Sequence, residues 1–229
     1  MLLGVSAAPV TPETSAPAAS VGGLRLLHID PQLVVADKPA GQLCVPGRGP
    51  GRADCLWSRL QAELADALVV HRLDMATSGL VLFGRGAVMQ RRLSMLFEQR
   101  RVHKRYQAVV AGLVSSDQGE IHLPLLTDWD HRPRQRVDHQ HGKPSLTHWQ
   151  LISRDELAGT SRLWLMPQTG RSHQLRVHLA AIGHAILGDA LYAPPPWAAV
   201  SPRLLLHACS LRWDDALTGP RRFDCPAPF

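Results

Sequence analysis

Apolar residues fall in two rhythms along this chain, and each predicts elements. Leu33-Val34-Val35-Ala36 and Leu80-Val81-Leu82-Phe83 are short unbroken apolar runs, the first closed by Asp37-Lys38-Pro39. Runs of this length bounded by turn residues read as buried strands. Between them, Leu56, Leu60, Leu64 and Ala67 stand at helical spacing, which predicts a helix within residues 54–67. Met89, Leu93, Leu96 and Phe97 form one apolar helical face after the second run. Tyr106, Ala108 and Val110 then alternate as a strand does, and shorter strands are expected around 146–152, 162–166 and 203–211. Ser172 is a suitable N-cap for a helix carrying Leu175, Leu179 and Ile182 inward, with Gly183 as its stop. Residues 46–51 are a loop by composition. Strands and helices interleave without a repeat, so the expected fold class is α+β with a large mixed, mainly antiparallel sheet.

Composition narrows the function. The 229 residues are 45% hydrophobic and 19% charged, as in a globular domain, but the net charge is +6. Arginine supplies nearly all of it, since only Lys38, Lys104 and Lys143 are lysines. A positive surplus points to a polyanionic partner, because a basic surface attracts phosphate and gains from counterion release. Residues 5–20 are mostly Ala, Pro, Ser and Thr, so residues 1–22 are expected to be a flexible tail ahead of a folded unit at 23–229. No basic n-region marks a signal peptide, and no apolar run approaches the ~18–20 residues of a membrane helix. Cys44, Cys55, Cys209 and Cys225 are widely spaced, which favours reduced thiols in a cytoplasmic protein. The twelve histidines show no metal-ligand spacing, and no Gly-rich nucleotide loop or flavin motif appears. No metal and no cofactor are expected.

Two arginine groups are candidate nucleic-acid contacts. Arg91, Arg92, Arg100 and Arg101 lie on the polar faces of the second predicted helix, with Arg105 just beyond; a solvated face is the ordinary reading. Arg132, Arg134 and Arg136 stand at i, i+2 and i+4, a basic comb if the segment is extended, with Pro133 confining it to an edge or loop.

The run His71-Arg72-Leu73-Asp74-Met75-Ala76-Thr77-Ser78-Gly79 sets one carboxylate beside two cationic or cationisable groups, just before a strand. Alone, this reads equally as a surface Arg–Asp pair or as reactive groups presented at a strand end. Lys104-Arg105-Tyr106 and Gly170-Arg171-Ser172-His173-Gln174-Leu175-Arg176-Val177-His178 decide the matter. Together the three segments resemble the motifs of the RluA family of pseudouridine synthases, which isomerise uridine to pseudouridine in RNA. The resemblance spans roughly residues 25–229 and extends to Gly142-Lys143-Pro144, Gly188-Asp189 and Arg203-Leu204-Leu205-Leu206-His207-Ala208.

The resemblance implies the family's catalytic fold, with a cleft across the sheet. It makes Asp74 the catalytic aspartate, Tyr106 the active-site tyrosine and Arg171 the basic partner of Asp74. Arg72 would fill the space left by a flipped-out base, and Leu175 and Arg176 would line or support the pocket, Arg176 also counted among the RNA contacts. Whether Asp74 attacks C1′, attacks the uracil ring or removes the 2′ proton stays open. His71 and His173 are expected to hydrogen-bond rather than exchange protons. Larger relatives carry an S4 domain, and none is expected here. The implied substrates are a hairpin of large-subunit (23S) rRNA and the anticodon stem-loop of tRNA, bound by a monomer with no membrane partner. The main alternative is an RNA-binding relative without chemistry, which would show more aromatic stacking platforms than a chain only 5% aromatic. A glycosidase would need a second acid.

Overall fold

The unbroken apolar runs become the centre of one sheet. The structure, a computed structural model, describes residues 19–229. In chain order it contains β1 (Ala19–Val21), β2 (Leu24–Ile29), β3 (Leu33–Lys38), α1 (Leu56–Glu63), β4 (Ala67–Val69), β5 (Ser78–Arg85) and α2 (Gly86–Glu98). There follow β6 (His103–Ala111), β7 (Gln118–His122), β8 (Leu125–Thr127), β9 (Gln135–Val137), β10 (Leu146–Asp155) and β11 (Thr160–Pro167). The chain closes with α3 (Gln174–Ala181), α4 (Pro195–Ala199), β12 (Leu206–Trp213) and β13 (Arg221–Asp224). Eleven strands form a sheet of order β1-β2-β3-β5-β12-β6-β11-β10-β7, with β4 added to β5 and β13 to β12. Every pairing in it is antiparallel except β5 with β12. The α+β, mixed and mainly antiparallel expectation therefore holds. Strands β8 and β9 pair apart from it as a hairpin.

The parallel join is short, with only Ser78 and Gly79 facing His207 and Ala208. Beyond it β5 turns to β4 and β12 turns to β13, so the sheet opens there into two halves. Two apolar clusters fill the N-terminal half: Leu33, Val35, Leu82, Leu93 and Trp213 in one, and Val34, Val81, Phe83, Leu56 and Leu60 in the other. A third, around Ala108, Val110, Leu163, Leu165, Leu175 and Leu179, fills the C-terminal half. Tyr106 packs against the second and third.

Some local expectations change. Helix α1 ends at Glu63, and Ala67 lies in β4 opposite Arg85 rather than on the helix. The free edge of β5 supplies backbone partners to residues 67–69, and this pairing outweighs the apolar spacing that continues the helix. Strand β1 begins at Ala19, inside the stretch expected to be tail, and residues 1–18 lie outside the described residues. Helix α3 has His173, not Ser172, at its N-cap, and no side chain caps it. Its end agrees better: Ile182 is the C-cap and Gly183 follows at φ 87°, although Ile182 itself is 38% exposed because the helix stops short of it. The arginine comb is not extended. Residues 128–134 form a turn, and only residues 135–137 are strand.

At the join Gly79 has φ 108°, and a Cβ there would lie 2.4 Å from the carbonyl oxygen of Ala208. Gly79→Ala is expected to cost roughly 3 kcal/mol or more, through strain and overpacking together. Gly23→Ala, at φ 75° with nothing within 4 Å, should cost only the left-handed backbone penalty of about 1–2 kcal/mol. Urea denaturation of both variants checks this; equal costs would remove the steric role of the join.

Candidate active site

Asp74 sits where the sheet opens, in the loop between β4 and β5. Its carbonyl accepts the Thr77 N–H at 3.1 Å, which makes the turn that feeds β5. Lys38 holds this loop from below. It is fully buried, and its ammonium donates to the carbonyls of Pro39, Gln42 and Met75 at 2.9, 2.8 and 3.0 Å. Gly41 N–H donates to the same Met75 carbonyl at 2.9 Å. Burial pulls the Lys38 pKa down to about 8 against the pull of Cys44 and Asp74, so the ammonium is mostly charged at neutral pH.

On the upstream side His71 is fixed as a neutral acceptor. Its Nε2 accepts from Leu82 N–H at 3.0 Å, and its ring stacks on Phe97 with centroids 4.4 Å apart. Burial, then the charge of Lys104, pushes its pKa down to about 3.

Asp74 faces a cavity of about 530 Å³, lined also by Arg72, Tyr106, Arg171, His173, Leu175 and Arg176. The three motifs thus meet in one cleft across the join. Tyr106 reaches it from the middle of β6, between Ala208 of β12 and Leu165 of β11. Burial, then Asp74, pushes its phenol above the ordinary range, so the hydroxyl stays protonated at neutral pH. Arg72 is exposed, while Leu175 is 7% exposed in the cavity wall.

The two arginines of the third motif both line the cavity but differ in their surroundings, and neither forms an ion pair with Asp74. Arg171 is exposed; its Nε donates to the Pro144 carbonyl at 3.3 Å, and it forms no ion pair with Asp74. Arg176 is the buried one. Its Nε and Nη2 donate to the two oxygens of Asp189 at 2.7 and 2.6 Å, with side chains only 5% and 1% exposed. Burial pulls its pKa down, but the bond to Asp189 and the charges of Asp189 and Asp74 outweigh that and leave it raised. Its permanent charge lines the same cavity as Asp74, with its guanidinium held by Asp189 rather than exposed on the surface.

The reason for the difference is local. Gln174 Oε1 accepts from Arg171 N–H at 3.0 Å and from Thr169 Oγ1 at 2.8 Å, closing the loop before α3. His173 then takes φ 53°, and the helix starts one residue later than Ser172 would place it.

Two residues enter the site that the sequence reading did not assign. Asp189 Oδ1 accepts the N–H groups of Leu191 and Tyr192 at 2.9 and 3.2 Å, besides holding Arg176. Tyr192 Oη meets His173 Nδ1 at 2.6 Å, and His173 Nε2 lies 4.0 Å from Asp74 Oδ1. Burial lowers the His173 pKa against the pull of Asp74. The Gly188-Asp189 segment signals this pair in the sequence, but not its partner.

The remaining arginine candidates divide. Arg132 stacks on Trp129 at 3.4 Å, Arg134 lies over Tyr192 at 5.5 Å, and Arg136 pairs with Asp138 at 3.1 Å. All three are exposed on the β8–β9 hairpin, and none lines the cavity. Gln135 N–H donates to Tyr192 Oη at 2.8 Å, which ties that hairpin to the site. On α2, Arg92 is held by the buried Asp215, with Nε to Oδ2 at 3.1 Å, and is not free for RNA.

Among the described residues one set of metal-capable side chains converges: Asp37, His207 and Cys225, with donor atoms within 4.8 Å of one another. It lines no part of the cleft. Asp37 is paired with Arg25 at 2.6 Å, and burial followed by Asp37 pushes the Cys225 thiol up to about 12. The thiol therefore stays protonated and serves as a hydrogen-bond donor to Asp37. No helix among the described residues is long and apolar enough to cross a membrane.

This cleft, with one partly buried carboxylate among aromatic and guanidinium groups, belongs to a known class. The family model described as RNA pseudouridylate synthase matches residues 32–181. The human RNA pseudouridylate synthase domain containing 1 superposes with a TM-score of 0.78 at 28% identity, covering 92% of this chain and 86% of that one. Its counterpart, domain containing 4, shares the fold at a TM-score of 0.72 and 24% identity, covering 89% and 88%. Among curated relatives, the dual-specificity RNA pseudouridine synthase RluA of Pasteurella multocida is 47% identical, over 85% of this chain and 89% of the relative. That of Escherichia coli is 43% identical, over 90% and 94%. The chain belongs to the RluA family of RNA pseudouridine synthases. It is an isomerase that forms pseudouridine in RNA.

The His71 pKa sets a test of the site's stability. Its folded value of about 3 lies below the ordinary 6.5, so the unfolded chain binds more protons between them. Stability from this group is complete above that window and is lost as pH falls through it. His71→Gln keeps an acceptor for Leu82 N–H without the titration. Its unfolding free energy should fall less steeply from pH 6 to 4 than that of the wild type, by up to about 1.4 kcal/mol per pH unit. Parallel slopes would mean that His71 titrates normally.

Proposed function

We propose that Asp74 is the catalytic aspartate and that it acts on a uridine flipped out of a structured RNA into the cavity. Breaking the N1–C1′ bond builds positive charge at C1′ and negative charge on uracil, and a fixed carboxylate beside the ribose answers the first. Because uracil is never released, one carboxylate suffices where retaining glycosidases use two. Arg176, anchored by Asp189, holds a fixed positive charge in the same cavity as Asp74, the part the motif resemblance would give to Arg171. Tyr106 offers its ring to the uracil face, and its protonated hydroxyl is available at the step that moves the C5 proton. Arg72, exposed at the mouth, is suited to stack in the space the base leaves, as a planar guanidinium can. Unstacking that base costs a few kcal/mol, which contacts with the surrounding RNA must offset.

The observation that carries this reading is the convergence of Asp74, Tyr106 and Arg176 from three distant segments on one cavity. The relatives are named dual-specificity enzymes. With them as support, the proposed substrates are a large-subunit rRNA hairpin and a tRNA anticodon stem-loop. Residues 23–229 would serve as the catalytic domain, acting as a monomer in the cytoplasm without a metal or cofactor.

Unmodified hairpins of both kinds, incubated with enzyme and chelator, should yield pseudouridine by nucleoside mass spectrometry. Asp74→Asn should yield none while still binding RNA. Product from Asp74→Asn at the wild-type rate would remove Asp74 from the chemistry, and dependence on added metal would overturn the cofactor-free mechanism.

The two arginines are separated by a second comparison. Arg176→Gln leaves Asp189 buried and unpaired, which costs roughly 3–5 kcal/mol of stability, and should lower kcat at least a hundredfold at a temperature where the variant is folded. Arg171→Gln should melt like the wild type and act mainly on KM. The reverse pattern would return Arg171 to the role of partner.

A further inference from the structure

Beside the cleft, and sharing Arg100, Lys104, Pro167 and Gln168 with it, runs a second groove of about 330 Å³. Five permanent or near-permanent cations line it: Arg100, Lys104, Arg105, Arg212 and Arg222, with His103 at its rim. No Asp or Glu is among its described lining residues. Elsewhere several arginines are neutralised by carboxylates, as in Arg59–Asp54, Arg85–Asp66, Arg92–Asp215 and Arg154–Asp117. Here only Arg222 has an acidic partner, Asp224 at 2.7 Å.

The strand register sharpens the point. His103 of β6 stands opposite Arg212 of β12, and Arg212 stands opposite Arg222 of β13. Like charges directly across a sheet are destabilising. Three cationic or cationisable groups thus stand in one row across three strands, with Asp224 on Arg222 as the one acidic partner among them.

The cations are also short of partners. Arg105 Nε is buried with no acceptor, and its guanidinium is held instead over the Trp164 ring at 4.2 Å. Stacking of this kind orients the fork but leaves its N–H groups available. Lys104 Nζ has one contact, a 3.5 Å approach to the Thr169 carbonyl. Burial, followed by the charge of Arg100, pulls its pKa down to about 8, the mark of an ammonium without a counter-charge. Arg100 occupies the position after the C-cap of α2 at φ 59°, where glycine is the usual residue. A side chain kept there carries backbone strain, which is more readily accounted for by a use for its charge than by packing.

We propose that this groove is a phosphate-binding track for the RNA strand flanking the target uridine, gripping the backbone on one side of the flipped nucleotide. The ligand class is a nucleic-acid phosphodiester rather than a base. The groove presents forked and point cations, and no Phe, Trp or Tyr is among its described lining residues. The proposal rests on the pseudouridine synthase reading of the adjoining cleft and adds a direction to it. The strand leaves Asp74 past Lys104 and Arg100 toward Arg105, Arg212 and Arg222.

The test uses binding, so that it stands apart from catalysis. A substrate hairpin is made with single neutral methylphosphonate linkages, one position at a time within a few nucleotides of the target. Affinity is measured against salt for the wild type, Arg105→Gln, Arg212→Gln and Arg212→Lys. For the wild type, one or two neutral linkages on the same side of the target should weaken binding severalfold. In the Gln variants the parent hairpin should bind more weakly, and those same linkages should cause no further loss. The slope of log K against log salt should also fall by about 0.7 per contact removed. Arg212, exposed on the strand surface, keeps the test sound if Arg105→Gln fails to fold, and Arg212→Lys should preserve the slope.

Unchanged slopes in both Gln variants, or an interference pattern identical to that of the wild type, would overturn the proposal. Pseudouridine formation by the wild-type enzyme on the same hairpins, read in parallel, separates the two readings. Absence of pseudouridine with the coupling intact counts against the chemistry of the cleft, and product without the coupling counts against the groove.

Discussion

Arg176 and Asp189 form a two-point ion pair closed off from solvent, and the order of the cleft depends on it. A buried pair of this kind repays its desolvation only when geometry and the remaining hydrogen bonds are good. Here both are met, since the second face of Asp189 takes the backbone N–H groups of residues 191 and 192. One carboxylate thereby fixes a guanidinium in the cavity lining and the turn that carries Tyr192. Tyr192 in turn holds His173 and the edge of the β8–β9 hairpin. Loss of either charge would leave the other buried and would also free the wall that faces Asp74. The pair is better understood as a device for position than for net stability.

The same logic explains why the site stands at the join of β5 and β12. Two residues of parallel pairing connect the halves of the sheet, and the close approach of Gly79 to Ala208 allows it. Around so short a seam the loops before β5 and before α3 can face each other across a gap. The central strand β6 supplies Tyr106 from between the halves. Lys38 closes the gap from beneath with three carbonyl contacts and so makes the Asp74 loop part of the N-terminal core.

What the sequence discloses of this arrangement follows from how local each feature is. Runs such as 33–36 and 80–83, and the face Met89–Leu93–Leu96, carry their own period, and the structure realises them as β3, β5 and α2. Asp74 and Tyr106 are legible because each sits in a short motif, one just before a strand and one within a strand, and both line the cleft. Ala67 misleads because its spacing suits a helix while a strand edge distant in sequence captures it. Arg171 and Arg176 share one short motif, and nothing in their spacing tells which is buried. That is decided by Gln174 closing the preceding loop, by the left-handed His173, and by Asp189 thirteen residues downstream. Arg132, Arg134 and Arg136 form a comb only if extended, and their turn brings them instead to Trp129, Tyr192 and Asp138. Contacts at long range and choices of turn are what one-dimensional periodicity omits.

The arginine surplus also resolves differently in three dimensions. Taken as composition, every arginine is an equal candidate for a polyanion. In the structure many are spent on carboxylates that brace the fold, and Arg92 with the fully buried Asp215 is the plainest case. Others have no acidic partner, and four such cations lie together. Arg100, Lys104, Arg105 and Arg212 gather on one flank of the cleft, where sheet register sets like charges side by side. A folded chain tolerates such crowding only at a cost in stability, because each cation raises the free energy of its neighbours. Surface charge evolving for solubility alone would interleave the signs, as the ion pairs on the rest of this protein do. Concentration of unpaired positive charge at the exit of a cleft built around one carboxylate is what separates a recognition surface from a merely basic one.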